Sequence, residues 1–302
     1  MQSHPLFTMS VASRCICINN PSPSAVYLRV SVGSQIVVDD ALFADYKPTC
    51  AFLFPGLPAI YVTSLAAVEL LRARHGGQQI VDSVDVTCGL SLGEYAALAF
   101  AGAFSFEDGL KLVQLRGEAS EAADAAKGAM VSIIGLDSET VQQLCDAANQ
   151  EVDIADKVQI VNYLCPGNYA VSGGLKGVEA VEAKAKSFQA RMTVVRLAVD
   201  GAFYTSFMDP AVTRLEAALA ATQFRTPRIP VISNVDAQPH ADPDTIKKIL
   251  ACHVVSPVQW VTTVKTLLTK GLKKGYELGP GKVIAGIVKR MDKSAEIENI
   301  GA

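Results

Sequence analysis

Apolar positions along the chain fall into two rhythms. Thr49 to Phe54 and Val84 to Cys88 are short, nearly unbroken apolar runs containing β-branched residues, which predicts buried strands. Ala59 to Arg74 instead repeats apolar residues at helical spacing (Ile60, Leu65, Val68, Leu71), and His75-Gly76-Gly77 ends it. Leu92 to Ala101 is rich in Ala and Leu and predicts a helix. Another begins after Ser105, with Asp108 completing a capping box, and runs towards Ala126.

From Ala129 to Val199 the rhythm changes. The order is strand (Met130–Ile134), helix (Ser138–Ala148), two strands (Val158–Tyr163, Tyr169–Ser172), helix (Val178–Ser187) and strand (Met192–Leu197). That β-α-β-β-α-β order is the split βαβ of ferredoxin-like modules. Beyond it, helices are expected at Asp209–Ala221, Thr245–His253, Val261–Thr269 and Val283–Arg290, and strands at Ile229–Ser233 and Tyr276–Leu278. Strands alternating with helices predict a mostly parallel sheet. The expected fold class is α/β: an α/β-hydrolase-like large domain (47–128 and 200–302) with a small ferredoxin-like insertion (129–199).

Composition narrows the picture. Half of the 302 residues are apolar and the formal charge is −3, which supports a sizeable core and gives no nucleic-acid footprint. No apolar run is long enough to span a bilayer. Residues 1–46 differ: they are rich in Ser and hold no Asp or Glu before Asp39, the composition of a plastid or mitochondrial transit peptide or of a disordered leader. No metal-ligand spacing, P-loop or dinucleotide fingerprint is present, so no cofactor is expected. Of the four His residues, His4 lies in the leader, His75 in a Gly turn and His240 in a polar loop, all read as solvated.

The sharpest chemical signal is Gly89-Leu90-Ser91-Leu92-Gly93 between a predicted strand and a predicted helix. In this elbow the flanking glycines let the chain turn tightly, Ser91 projects its hydroxyl, and the Leu92 N–H can face a developing oxyanion.

The elbow with Glu94-Tyr95 resembles the malonyl-CoA:acyl carrier protein transacylases, most closely their organellar plant form. So do Leu115-Arg116-Gly117-Glu118-Ala119, Asn162-Tyr163 with Cys165-Pro166-Gly167, Gly201-Ala202-Phe203, Ser233-Asn234-Val235, Ser256-Pro257-Val258-Gln259-Trp260 and Gly279-Pro280-Gly281. The likeness implies ping-pong acyl transfer through an ester on Ser91, with malonyl-CoA as substrate and acyl carrier protein as acceptor. It implies no nucleic-acid or membrane partner, and a monomer. Arg116 becomes the clamp for the malonyl carboxylate, suited by its planar fork. Phe203 favours malonyl over branched acyl groups, and Asn162 and His253 take substrate-binding positions.

The chain departs from the family at the chemistry itself. Tyr204 stands where the family has the His that activates Ser, and a phenol is a far weaker base than imidazole at neutral pH. Leu57-Pro58-Ala59 follows Gly56 where the family has Gln residues that complete the oxyanion hole, and the helices that follow there are absent. His253 replaces a Gln that orients the catalytic His. Asp200 and Ser120 are lesser changes. These departures imply an impaired enzyme. The alternatives are a non-catalytic relative that binds acyl carrier protein or coenzyme A, and a serine esterase of the α/β-hydrolase type.

Overall fold

The computed structural model describes residues 40–56, 60–123, 128–188, 193–197 and 201–301. The expected leader up to residue 39, Leu57 and Pro58, Asp200, and Met192 at the head of a predicted strand lie outside these.

Five strands form a parallel sheet in the order β7-β2-β1-β8-β9: β1 (Cys50–Phe54), β2 (Val86–Gly89), β7 (Val231–Ile232), β8 (Lys274–Leu278) and β9 (Glu296–Ile300). Successive side chains of β1 face opposite sides. Phe52 and Phe54 join one core with Tyr276, Leu278 and Ile300, while Ala51 and Leu53 join another with Val86, Cys88 and Ile232. Both faces of the sheet are therefore buried, which is why β1 and β2 read as continuous apolar runs with no polar alternation. The first face is covered by α1 (Ile60–Ala73), α3 (Gly93–Phe100), α4 (Phe106–Ala123), α7 (Asp209–Ala221) and α8 (Pro243–His253). The second is covered by α9 (Trp260–Thr269) and α10 (Val283–Met291). Among the described residues no helix is long and apolar enough to cross a membrane.

The second sheet is antiparallel, in the order β4-β5-β3-β6, built from β3 (Gly128–Ile134), β4 (Val158–Cys165), β5 (Asn168–Gly174) and β6 (Thr193–Arg196). With α5 (Ser138–Asn149) and α6 (Leu175–Phe188) it encloses its own core around Val131, Ile133, Leu144 and Val171. β3 and β6 pair with each other and not with the parallel sheet, as the split βαβ order requires. Asp137 caps α5 through Thr140 N–H at 2.7 Å, and Ser105 Oγ accepts from Asp108 N–H at 3.1 Å ahead of α4.

The two sheets are fastened together at Val258. Its carbonyl accepts from Tyr163 N–H at 3.0 Å and its N–H donates to Val161 O at 2.8 Å. The next residue, Gln259, donates its N–H to Asn234 O at 2.8 Å.

Two elements were not anticipated. α2 (Gly77–Asp82) is six residues long, too short to show a period, and starts within the Gly pair that ends α1, with Gly76 as its N-cap. β9 lies at the sheet edge and reads Glu-Ile-Glu-Asn-Ile, with neither an apolar run nor an unbroken alternation to mark it as a strand.

Candidate active site

The elbow forms at the end of β2. Ser91 has φ 55°, in the left-handed region, which costs a non-glycine residue about 1–3 kcal/mol. The backbone around it is too close-packed for side chains. A Cβ on Gly89 would lie 2.0 Å from the Gly93 carbonyl carbon, and one on Gly93 would lie 2.3 Å from Phe54 O. The turn is closed by Gly93 N–H to Leu90 O at 2.9 Å and Glu94 N–H to Ser91 O at 3.1 Å. The Leu92 N–H donates to none of the described residues, so it is available to an oxyanion.

Asn234 holds this strained turn from across the sheet. Its Oδ1 accepts Ser91 N–H at 2.8 Å, its Nδ2 donates to Gly89 O at 2.6 Å, and its own N–H donates to Glu94 Oε2 at 3.1 Å. The sequence carried Asn234 only as part of a matching tripeptide. A contact spanning 143 residues leaves no local pattern to read.

The Ser91 hydroxyl is hydrogen-bonded to the Tyr204 hydroxyl. Tyr204 also has positive φ, 60°, and its carbonyl accepts from Gln159 Nε2 of β4 at 3.1 Å, so the small sheet helps to place it. Phe203 beside it packs, partly buried, against both cores of the large domain.

Behind Tyr204 lies a buried polar cluster. The His253 ring stacks on the Tyr204 ring with centroids 5.8 Å apart and planes 26° apart. Its Nδ1 lies 3.3 Å from Glu94 Oε2, outside hydrogen-bond geometry, and both ring nitrogens lack a hydrogen-bond partner among the described residues. His253 is 0% exposed, so direct contact with substrate, the role expected from sequence, is not what this position offers. Burial raises the Glu94 carboxyl to about 8, opposed by the Asn234 N–H and by Arg116. Burial, then the Arg116 charge, holds His253 well below the ordinary imidazole range. At neutral pH the pair is thus a protonated acid beside a neutral imidazole.

Arg116 projects from α4 and is 7% exposed, so a solvated helix face is excluded. Its guanidinium lies 5.6 Å from the ring centroid of Tyr95, on the elbow helix, and Nη1 has no partner among the described residues. A desolvated guanidinium with an unused N–H is suited to receive a carboxylate. Asn162, at a bulge in β4 beside Val258, likewise presents an unpartnered Oδ1. His240 corrects the expectation of a solvated side chain: it is 12% exposed and bonds Asp236 Oδ2 at 2.8 Å, because the loop folds back over β7.

A strained Ser on a strand–elbow–helix turn, set in a parallel sheet beside an antiparallel module, defines an acyl-transferring class of protein. Residues 37–300 match the acyl transferase domain family. The chain is 38% identical over 237 residues to the malonyl CoA-acyl carrier protein transacylase of Bacillus subtilis, covering 78% of this chain and 72% of that one. It is 36% identical over 249 residues to the mitochondrial malonyl-CoA-acyl carrier protein transacylase of Mus musculus, covering 79% of this chain and 64% of that one. The crystal structure of an acyl carrier protein S-malonyltransferase from Vibrio cholerae superposes with a TM-score of 0.76 at 30% identity, covering 83% of this chain and 96% of that one. The chain belongs to the acyl transferase domain family and, within it, to the malonyl-CoA–acyl carrier protein transacylases.

Proposed function

We propose that this chain transfers a malonyl group from coenzyme A to acyl carrier protein, in fatty-acid synthesis, through an ester on Ser91, and does so slowly. The observation that carries the reading is the elbow itself: Ser91 at positive φ, its hydroxyl bonded to Tyr204, with the Leu92 N–H available. Ser91 Oγ attacks the thioester carbonyl, the coenzyme A thiol leaves, and the pantetheine thiol of acyl carrier protein then attacks the Ser91 ester. Leu92 N–H stabilises the oxyanion in both steps. The buried Arg116 guanidinium takes the free malonyl carboxylate, which distinguishes malonyl from acetyl, and Phe203 and Asn162 face the acyl chain.

Slowness follows from the partner of Ser91. A phenol can accept or donate a hydrogen bond but removes a proton at neutral pH far less readily than imidazole. General-base catalysis contributes ~10²–10⁴ in rate, and a missing oxyanion donor costs ~10²–10³. We therefore place turnover at least ~10³-fold below that of a family member with His at position 204 and the intact oxyanion hole. The support for an organellar address is the acid-free, Ser-rich composition before Asp39, together with the mitochondrial relative.

The experiment is malonyl transfer from coenzyme A to acyl carrier protein by the purified chain, with the ester trapped and located by mass spectrometry. A malonyl adduct on Ser91 that Ser91→Ala abolishes supports the reading. Turnover equal to that of an intact enzyme would overturn the impaired site. Absence of any adduct would favour a binding protein.

A further inference from the structure

The cluster behind Tyr204 closes a ring of contacts. Ser91 N–H binds Asn234, Asn234 N–H binds Glu94, Glu94 lies against His253, His253 stacks on Tyr204, and Tyr204 bonds the Ser91 hydroxyl. Three members, Glu94, His253 and Tyr204, are titratable, and Glu94 and His253 lie behind the phenol that bonds Ser91. His253 is fully buried with both nitrogens unpartnered, although a buried imidazole ordinarily satisfies at least one. Within 3.3 Å the titratable neighbour of Nδ1 is a carboxyl oxygen.

We propose that Glu94 and His253 hold one proton between them, and that this pair makes His253 a positioning residue that fixes the Tyr204 ring against Ser91. Across that 3.3 Å separation a small side-chain rotation lets the carboxyl O–H donate to Nδ1, which places the ring proton of His253 on Nε2. The pair is then uncharged, which its burial requires. Asp236 and His240 lie in the loop before α8 and Arg116 on α4; Arg116 and His240 favour the carboxylate, and burial outweighs them. Asp236 favours the protonated acid, and the Arg116 charge keeps His253 neutral. When Glu94 ionises, its carboxylate becomes acceptor only. Nδ1 must then carry the proton, His253 changes tautomer, and the ring loses the contact that set its orientation behind Tyr204.

The inference rests on the proposed transfer reaction for its kinetic arm alone; its spectroscopic arm needs no turnover. The full chain is labelled with ¹⁵N-histidine and His253 is assigned by the signal lost in His253→Gln. The expected result is a neutral His253 with an accepting Nδ1 at pH 7 and a change of tautomer centred near the Glu94 value of about 8. In the nearly isosteric Glu94→Gln, whose amide still donates to Nδ1, no change should occur over that range. An imidazolium at pH 7, or an unchanged titration in Glu94→Gln, overturns the shared proton. Kinetically, His253→Ala should lower kcat on the order of 10²-fold, the scale of a misplaced reacting group, with KM held. His253→Phe, which keeps the stacked ring but cannot take the proton, should recover part of that loss and abolish the dependence on pH near 8. A change in KM in place of kcat would assign His253 to substrate binding and sink the positioning role. Were no malonyl transferred at all, the reaction assignment would fail while the NMR titration still decided the proton.

Discussion

Replacing Asn234 with Ala removes two hydrogen bonds at once, 2.8 Å from Ser91 N–H and 2.6 Å to Gly89 O. The Gly89 carbonyl is buried on a central strand, so it takes the full cost of an orphaned polar group. Ser91 is partly buried, so water can partly replace its acceptor. At ~1–3 kcal/mol for a buried unsatisfied group, the two together predict a loss of about 3 kcal/mol. Asn149 provides a matched control. Its amide also accepts from and donates to one backbone residue, Val158, at 2.8 and 2.9 Å, but in the small sheet away from the elbow. Asn149→Ala should cost comparable stability, whereas only Asn234→Ala should also release the positive φ of Ser91. The assay is urea unfolding followed by the single Trp, Trp260, which is fully buried, with malonyl-ester formation on Ser91 measured in native buffer. The expected outcome is similar stability loss in both variants, with ester formation lost only in Asn234→Ala. A loss below ~1 kcal/mol in Asn234→Ala, or equal ester formation in the two, would refute the clamp.

Three further outcomes are expected. Glu94 has its folded pKa raised above the unfolded value, so its stabilising contribution is full below about pH 4.5 and declines as pH rises towards about 8; between pH 6.5 and 8 the wild type should lose up to ~1.4 kcal/mol per pH unit relative to Glu94→Gln, measured as the difference in urea unfolding free energy. Arg116→Ala should weaken malonyl transfer far more than acetyl transfer, and equal weakening would show that the guanidinium does not read the carboxylate. Tyr204→His should raise malonyl transfer by about 10²-fold, the lower end of general-base catalysis; an unchanged rate would mean that proton removal from Ser91 is not limiting.

Much of this fold was legible because its elements carry their own signals. β1 and β2 read as strands from apolar runs that two-sided burial demands, and the elbow read from glycines that the backbone contacts of Phe54 and Gly93 require. The order of elements from Gly128 to Arg196 was enough to separate the antiparallel sheet. What stayed hidden depends on distance along the chain. Asn234 reaches Gly89 across 145 residues, and the stacking of His253 on Tyr204 joins the end of α8 to a turn ahead of α7. Nothing near either residue announces it. His253 was placed by likeness at a substrate position, and only its burial moves it behind the phenol. Glu94 sat inside the quoted motif, but a carboxylate on an Ala-rich helix shows its protonation only once its surroundings are known.

The strap at Val258 has a mechanical consequence. Two backbone hydrogen bonds tie it to Val161 and Tyr163 of the antiparallel sheet, and the adjoining Gln259 is tied to the loop that carries Asn234. Any swing of one sheet against the other must first break bonds that lie within a few residues of the elbow's own anchor. The spacing of the two sheets at Val258 and the anchor of the Ser91 turn are therefore set by one run of backbone. Breaking the bonds at Val258 would thus be felt as play in the Ser91 turn, while loosening at the far end of β4, around Val158, would not reach it.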